Sequence, residues 1–194
     1  MIHKDDLLGA IAGKNRGLLA TAAEKQAILA AIAQLEQFNP TERPTEAGDL
    51  LSGDWRLLYT TSKGILGIDR VPVLQLGQVY QCIRTEGAKV YNIAEIAGVP
   101  LLEGVVSVAA TFEVVSQKRV EVKFERSIVG SQRLIGYQTP CQFIQNIETG
   151  KKFMAFDNEI KPRDRRGWLD ITYLDRELRI GRGNEGSVFV LTKV

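Results

Sequence analysis

The sequence predicts a mainly β protein: an antiparallel up-and-down β-barrel with an N-terminal helical lobe. Three observations point there. Residues 4 to 38 are dominated by Ala, Leu, Glu, Lys and Gln, all good helix formers. After residue 50 the apolar pattern switches to a period of two. No helix-length segment is expected among those strand-like runs, which argues against βαβ units and for an antiparallel barrel. The 194 residues suit one domain with an extra lobe. We read a helical lobe at 1–40 packed on the barrel, a linker at 41–50 and the barrel at 51–194.

The first helix runs roughly from residue 4 to 13 and breaks near Asn15-Arg16-Gly17. Thr21 followed by Glu24 forms a capping box, in which hydroxyl and carboxylate satisfy free backbone N–H groups. Ile28, Ile32 and Leu35 then recur at helical spacing, with Ala31 in the same stripe, until Asn39-Pro40 ends the helix. That stripe is expected to pack on the chain's own barrel; a partner or membrane surface is the alternative.

Gly53-Asp54-Trp55 opens the first strand. Glycine lets the backbone turn in tightly. Trp55 offers a large apolar plug that needs one partner for its indole N–H. Leu57 and Tyr59 share the parity of Trp55. Residues 79–84 and 89–96 flank a Thr-Glu-Gly-Ala turn and read as a hairpin. Val106, Val108, Ala110, Phe112 and Val114 alternate through the next strand. Val120, Val122 and Phe124 alternate with Glu121, Lys123 and Glu125, the pattern of a half-buried strand. Residues 133–147 read as a strand pair around Tyr137 and Pro140. Segments 152–160, 167–173, 178–182 and 187–193 bring the total to nine or ten strands. Glu148-Thr-Gly-Lys and Asn184-Glu-Gly look like hairpin turns.

Composition excludes several functions. A net charge of +2 argues against nucleic-acid binding driven by overall charge. No apolar run reaches ~18 residues, so no membrane-spanning helix is expected. The first residues are acidic and resemble neither a signal peptide nor a transit peptide, which reads as a cytosolic protein or one processed to this length. His3 is the only histidine, which excludes Ser-His-Asp and Cys-His triads and multi-histidine metal sites. Cys82 and Cys141 lie too far apart in sequence for a CxxC motif and are expected to be buried free thiols. No catalytic residue, metal or cofactor is therefore expected.

The remaining motifs have plain readings beside sharper ones. Asp157 and Glu159 share a strand face and read as surface charge. Gly181-Arg-Gly-Asn-Glu-Gly186 matches GxGxxG, but a β-rich segment follows where a phosphate-facing helix is needed, so a hairpin is expected. The basic loop containing Arg163, Arg165 and Arg166 reads as a solvated tip; contact with anionic lipid headgroups is the alternative. The apolar stretch 64–74 packs over the barrel end, or serves as a lid or lipid contact. Arg182 has the parity of Leu178 and Ile180, whereas Arg179 has the opposite one. An arginine on an inward face would stack on the plug tryptophan or meet an anionic ligand headgroup.

Two stretches carry a family resemblance: Leu51-Ser-Gly-Asp-Trp-Arg-Leu-Leu-Tyr-Thr-Thr-Ser62 and Tyr173-Leu-Asp-Arg-Glu-Leu-Arg-Ile-Gly-Arg-Gly-Asn-Glu-Gly-Ser-Val-Phe-Val-Leu191. Together they resemble the plastid lipid-associated proteins, also called fibrillins or plastoglobulins, and the likeness covers almost the whole chain. The resemblance implies a lipocalin-like barrel associated with lipid globules (plastoglobules) and thylakoid membranes. It implies fatty acids, carotenoids or prenylquinones such as plastoquinone as cargo. Without a transit peptide, it suggests a cyanobacterial member. In lipocalins a late-strand arginine packs across the first-strand tryptophan. The analogy makes Gly53, Trp55 and Arg182 the structural plug, with Arg179 as the other candidate.

No ligand-contact motif transfers from the family, so pocket candidates follow from parity alone: Leu57, Tyr59, Phe112, Val122 and Phe124. The expected function is non-catalytic binding of an apolar lipid or isoprenoid near photosynthetic membranes. The expected partners are that hydrophobic small molecule and a membrane or globule surface touched peripherally. The alternative is a scaffold whose barrel is filled by its own side chains and whose surface docks on thylakoid lipid or an isoprenoid-synthesis enzyme. An enzyme acting on a bound lipid is the weakest reading, for want of a usable histidine, metal spacing or nucleophile motif.

Overall fold

A computed structural model describes residues 2–67, 75–97, 103–160 and 166–194. These residues form nine antiparallel strands: β1 (Gly53–Thr60), β2 (Gln75–Arg84), β3 (Lys89–Ala97), β4 (Gly104–Val114), β5 (Arg119–Ser131), β6 (Phe156–Glu159), β7 (Arg166–Leu174), β8 (Leu178–Gly183) and β9 (Val188–Lys193). Each pairs with its neighbour in the chain except β6 and β7, which both pair with β5, and β9 returns to β1. The result is a closed eight-stranded up-and-down barrel. β5 is long enough for two partners on one edge: Arg119–Lys123 pairs with β7, and Arg126–Val129 pairs with β6 nearer the other end.

The helices are α1 (Ile2–Ile11), α2 (Ala22–Glu36), α3 (Gly48–Leu51), α4 (Lys63–Leu66), α5 (Gln132–Ile135) and α6 (Pro140–Glu148). The capping box of α2 is present, with Thr21 N–H donating to Glu24 Oε2 at 2.9 Å and Glu24 N–H donating to Thr21 Oγ1 at 3.3 Å. The stripe Ile28, Ile32 and Leu35 packs with Leu7 and Ile11 of α1 on the outer face of the barrel, against Leu178, Ile180, Val188 and Val190. The helical lobe therefore covers β8 and β9 from outside.

Residues 133–147 are not the strand pair that the sequence suggests. They form α5 and α6, and a helix-length segment does follow residue 50. Thr139 caps α6, its Oγ1 accepting from Gln142 N–H at 3.2 Å, and Pro140 occupies the first turn, where its missing N–H costs nothing. Phe143, Ile144 and Ile147 then share one face, buried against Cys82, Tyr91, Ile93, Val105 and Ile128 on the outer surface of β2 to β5. The Glu148-Thr-Gly-Lys segment ends this helix rather than turning a hairpin, with Gly150 at φ +74°. Of segment 152–160 only Phe156–Glu159 is strand.

The polar stretch leading to β1 does more than link. Thr41 Oγ1 donates to Leu174 O at 2.7 Å, Thr45 Oγ1 to Ser116 O at 2.9 Å and Ser52 Oγ to Ile83 O at 3.3 Å. The stretch thus visits the β7, β4–β5 and β2–β3 ends in turn and straps one end of the barrel shut.

Cys82 is buried, as expected, but Cys141 is exposed on the first turn of α6, so the expectation of two buried thiols is corrected. Burial pushes the Cys82 thiol well above its ordinary pKa and keeps it inert. A thiol reagent is expected to titrate one cysteine in native protein and two in denaturant.

Asp157 anchors β6, accepting from Arg126 Nε and Nη2 at 2.8 and 2.7 Å and from Phe153 N–H at 3.2 Å. The Arg126 hydrogen bonds hold its carboxyl below the usual range. The unfolded chain therefore takes up this proton first, and the stability is present above about pH 4 and lost as pH falls through the folded pKa. Asp157→Asn should flatten the acid side of a stability–pH profile measured by urea unfolding.

Candidate functional site

The barrel encloses a cavity of about 570 Å³. Its walls are the inward side chains of the ring strands, among them Leu57, Phe112, Val122, Phe124, Phe189 and Leu191. β8 is the exception, since its inner face carries Arg179, Gly181 and Gly183. A Cβ at Gly181 would stand 3.1 Å from a Leu169 methyl, and one at Gly183 would stand 3.3 Å from the Phe189 ring. The glycines leave room for those larger neighbours to lean inward.

Four of the five parity candidates, Leu57, Phe112, Val122 and Phe124, line this cavity. Tyr59 does not. The β1–β9 register steps from Leu57↔Leu191 to Tyr59↔Val190, a bulge at Leu58. One extra residue reverses every later side chain. Tyr59 is turned to the outer face and buried with Ile11, Ala20 and Ile28 under the helical lobe.

The arginine at the plug is Arg179, and the expectation for Arg182 is corrected. The apolar parity of β8, Leu178 and Ile180, is the outer face, buried by the helices. Arg182 follows that parity outward and forms a two-pronged ion pair with Glu36 of α2, at 2.8 and 2.7 Å. Arg179 points inward, is 2% exposed, and places its guanidinium carbon 5.1 Å from the Trp55 ring centroid. Trp55 is fully buried, and its indole N–H donates to Leu51 O of α3 at 2.9 Å. Gly53 adopts φ +129°, and a Cβ there would meet Lys193 Cε at 2.8 Å.

The polar part of the cavity wall lies towards this closed end. Arg179 Nη2 reaches across the barrel interior and donates to Gln81 Oε1 on β2. Gln81 Nε2 in turn donates to Asn92 Oδ1 on β3 at 2.8 Å. Among the described residues no carboxylate pairs with Arg179, and its buried Nε has no hydrogen-bond partner. Burial pulls its pKa down to about 9, which leaves it charged at neutral pH.

The opposite end is the mouth, where Ile65 of α4, Arg166, Trp168 and Ser187 line the cavity. Two segments flagged in the sequence reach this rim, through Ile65 and Arg166. Arg163, Arg165 and residues 68–74 lie outside the described residues. Glu95 and Glu148 engage Tyr137 and Tyr91 on the outer surface rather than facing the cavity. No cluster of metal-ligating side chains occurs among the described residues. The sequence reading missed Gln81 and Asn92. Their signal was present as two polar residues on the inner parity of strands that are otherwise apolar there.

The sequence profile of the PAP_fibrillin family matches residues 1–192. The chain belongs to the PAP_fibrillin family. Its similarity to a light-induced chloroplastic protein of Solanum tuberosum is 35% identity, covering 98% of this chain and 66% of the potato protein. A probable plastid-lipid-associated protein 2 of Arabidopsis thaliana is 34% identical over 98% of this chain and 70% of its own length. A chromoplast-specific carotenoid-associated protein C1 of an Oncidium hybrid cultivar is 36% identical over 98% of this chain and 68% of its own. This PAP_fibrillin chain thus spans about two thirds of the length of the curated relatives it matches. No solved structure matches it.

Trp55 and Arg182 should separate in mutagenesis. Trp55→Ala removes a fully buried indole and is expected to cost about 3–5 kcal/mol in urea unfolding. Arg182→Ala breaks a partly exposed ion pair and is expected to cost only about 1 kcal/mol.

Proposed function

We propose that this protein is a non-catalytic binder of an apolar lipid or isoprenoid, held inside the barrel. The observation that carries the reading is the cavity itself. Its volume lies in the range of small-molecule sites, roughly 300–1,000 Å³, and its walls are mainly apolar with few polar groups. Burial of ligand and wall supplies about 25 cal/mol per Å², before ordering costs are subtracted. The relatives' names point the same way, since they include plastid-lipid-associated and chromoplast carotenoid-associated proteins. By the same reasoning the protein works at a plastid or photosynthetic membrane, or at a lipid globule, with prenylquinone, carotenoid or fatty acid as candidate cargo.

Loading through the mouth would bring its rim to the lipid surface. Arg166 at that rim, with Arg163 and Arg165 beside it in sequence, suits anionic headgroups. The rival reading, a self-filled barrel that acts only by surface docking, is less well supported because the interior is not filled.

Nile red, a neutral apolar fluorophore, tests the reading. Wild-type protein is expected to bind it inside the barrel. Ala94→Trp projects an indole into the cavity and should weaken binding by about ten-fold or more, ~1.4 kcal/mol, with the melting temperature retained. Equal binding by both proteins, or none by either, would remove the carrier reading.

A further inference from the structure

Among the described residues the charge inside the barrel has no counter-ion. A charge taken out of water is costly unless it is paired, yet the partners of Arg179 among the described residues are the Trp55 ring and the amide oxygen of Gln81. A second cation adds to the positive field: Lys193 Nζ also stands 5.1 Å from the Trp55 centroid and donates to Leu50 O at 2.8 Å.

The hydrogen bonds around Arg179 run in one direction. A guanidinium can only donate, so Gln81 must present its oxygen to it. The Gln81 amide nitrogen then faces Asn92, which must present its own oxygen. Both amide oxygens thereby accept within the wall. What remains uncompensated is the Arg179 guanidinium, whose Nε is buried without a hydrogen-bond partner among the described residues, while Gln81 and Asn92 line the cavity beside it with their oxygens already engaged. A carboxylate in the cavity beside them would supply the missing counter-charge. A neutral head such as an alcohol would leave the charge uncompensated. The apolar walls running from there to the mouth match an alkyl chain.

We propose that Arg179, Gln81 and Asn92 form the headgroup site for a single-chain amphiphile ending in a carboxylate, bound with its head towards the closed end and its chain towards the mouth. The assignment rests on the carrier reading above and narrows it to anionic lipids.

Displacement of Nile red from the full chain at neutral pH compares palmitate with hexadecanol, which share a chain and differ in the head. Palmitate is expected to bind at least about ten-fold more tightly. Gln81→Glu supplies Arg179 with an internal carboxylate and repels an incoming one. It should abolish the preference while the melting temperature holds or rises. Arg179→Gln should abolish the preference by removing the cation. Equal affinities in wild-type protein, or a preference that survives Gln81→Glu, would overturn the headgroup site while leaving the carrier reading in place. If neither amphiphile displaces the dye and the dye itself does not bind, both fall together.

Discussion

The pairing of β1 with β9 is the contact on which the rest of the structure depends. It joins a strand near the start of the barrel to the C-terminal strand and converts an open meander into a ring. Closure removes the sheet edges between them. It also creates two surfaces at once. Inside, Leu57 and Leu191 face a volume too wide for the ring's side chains to fill. Outside, Tyr59, Val188 and Val190 form the floor on which α1 and α2 rest. The bulge at Leu58 lets one strand serve both, by turning its later residues outward.

Much of this barrel is buried from two sides. The helical lobe covers β8 and β9, and the insertion carrying α5 and α6 covers β2 to β5. A strand covered on both faces cannot tell inside from outside by hydrophobicity, because both parities are apolar. Leu178 and Ile180 are the sharpest example. They are the apolar parity of β8, yet they face the helices, and the opposite parity brings an arginine and two glycines into the cavity. By contrast β5 is exposed on its outer face along its first half, where Glu121 and Lys123 meet solvent, and there alternation put Val122 and Phe124 correctly in the wall.

The polar interior gains its order from the direction of its hydrogen bonds. Arg179 can only donate, so it orients Gln81, and Gln81 orients Asn92. Three side chains from three strands, one of them across the barrel from the others, are thereby joined in one hydrogen-bonded chain. Trp55 supports this from below with its aromatic face, while its N–H is spent on Leu51 of the short helix α3. The plug of the barrel and the polar part of its cavity therefore share one residue, Arg179.

The sequence by itself determined the fold class, the helical lobe with its capping box, the strand limits of most of the barrel, the tight turn at Gly53 and the burial of Trp55, because these rest on local patterns. Thr21 caps with Glu24, glycine permits a positive φ, and period-two alternation marks a half-exposed strand. It misread residues 133–147, since Thr139, Pro140 and the Phe143-Ile144-Ile147 stripe spell a helix too short to stand out among strands. Only the tertiary structure decided which parity faces inward, which arginine meets Trp55, and that Gln81 and Asn92 join it. Those outcomes depend on a one-residue bulge and on helices laid over the outside, and neither is encoded in the spacing of residues along a single strand.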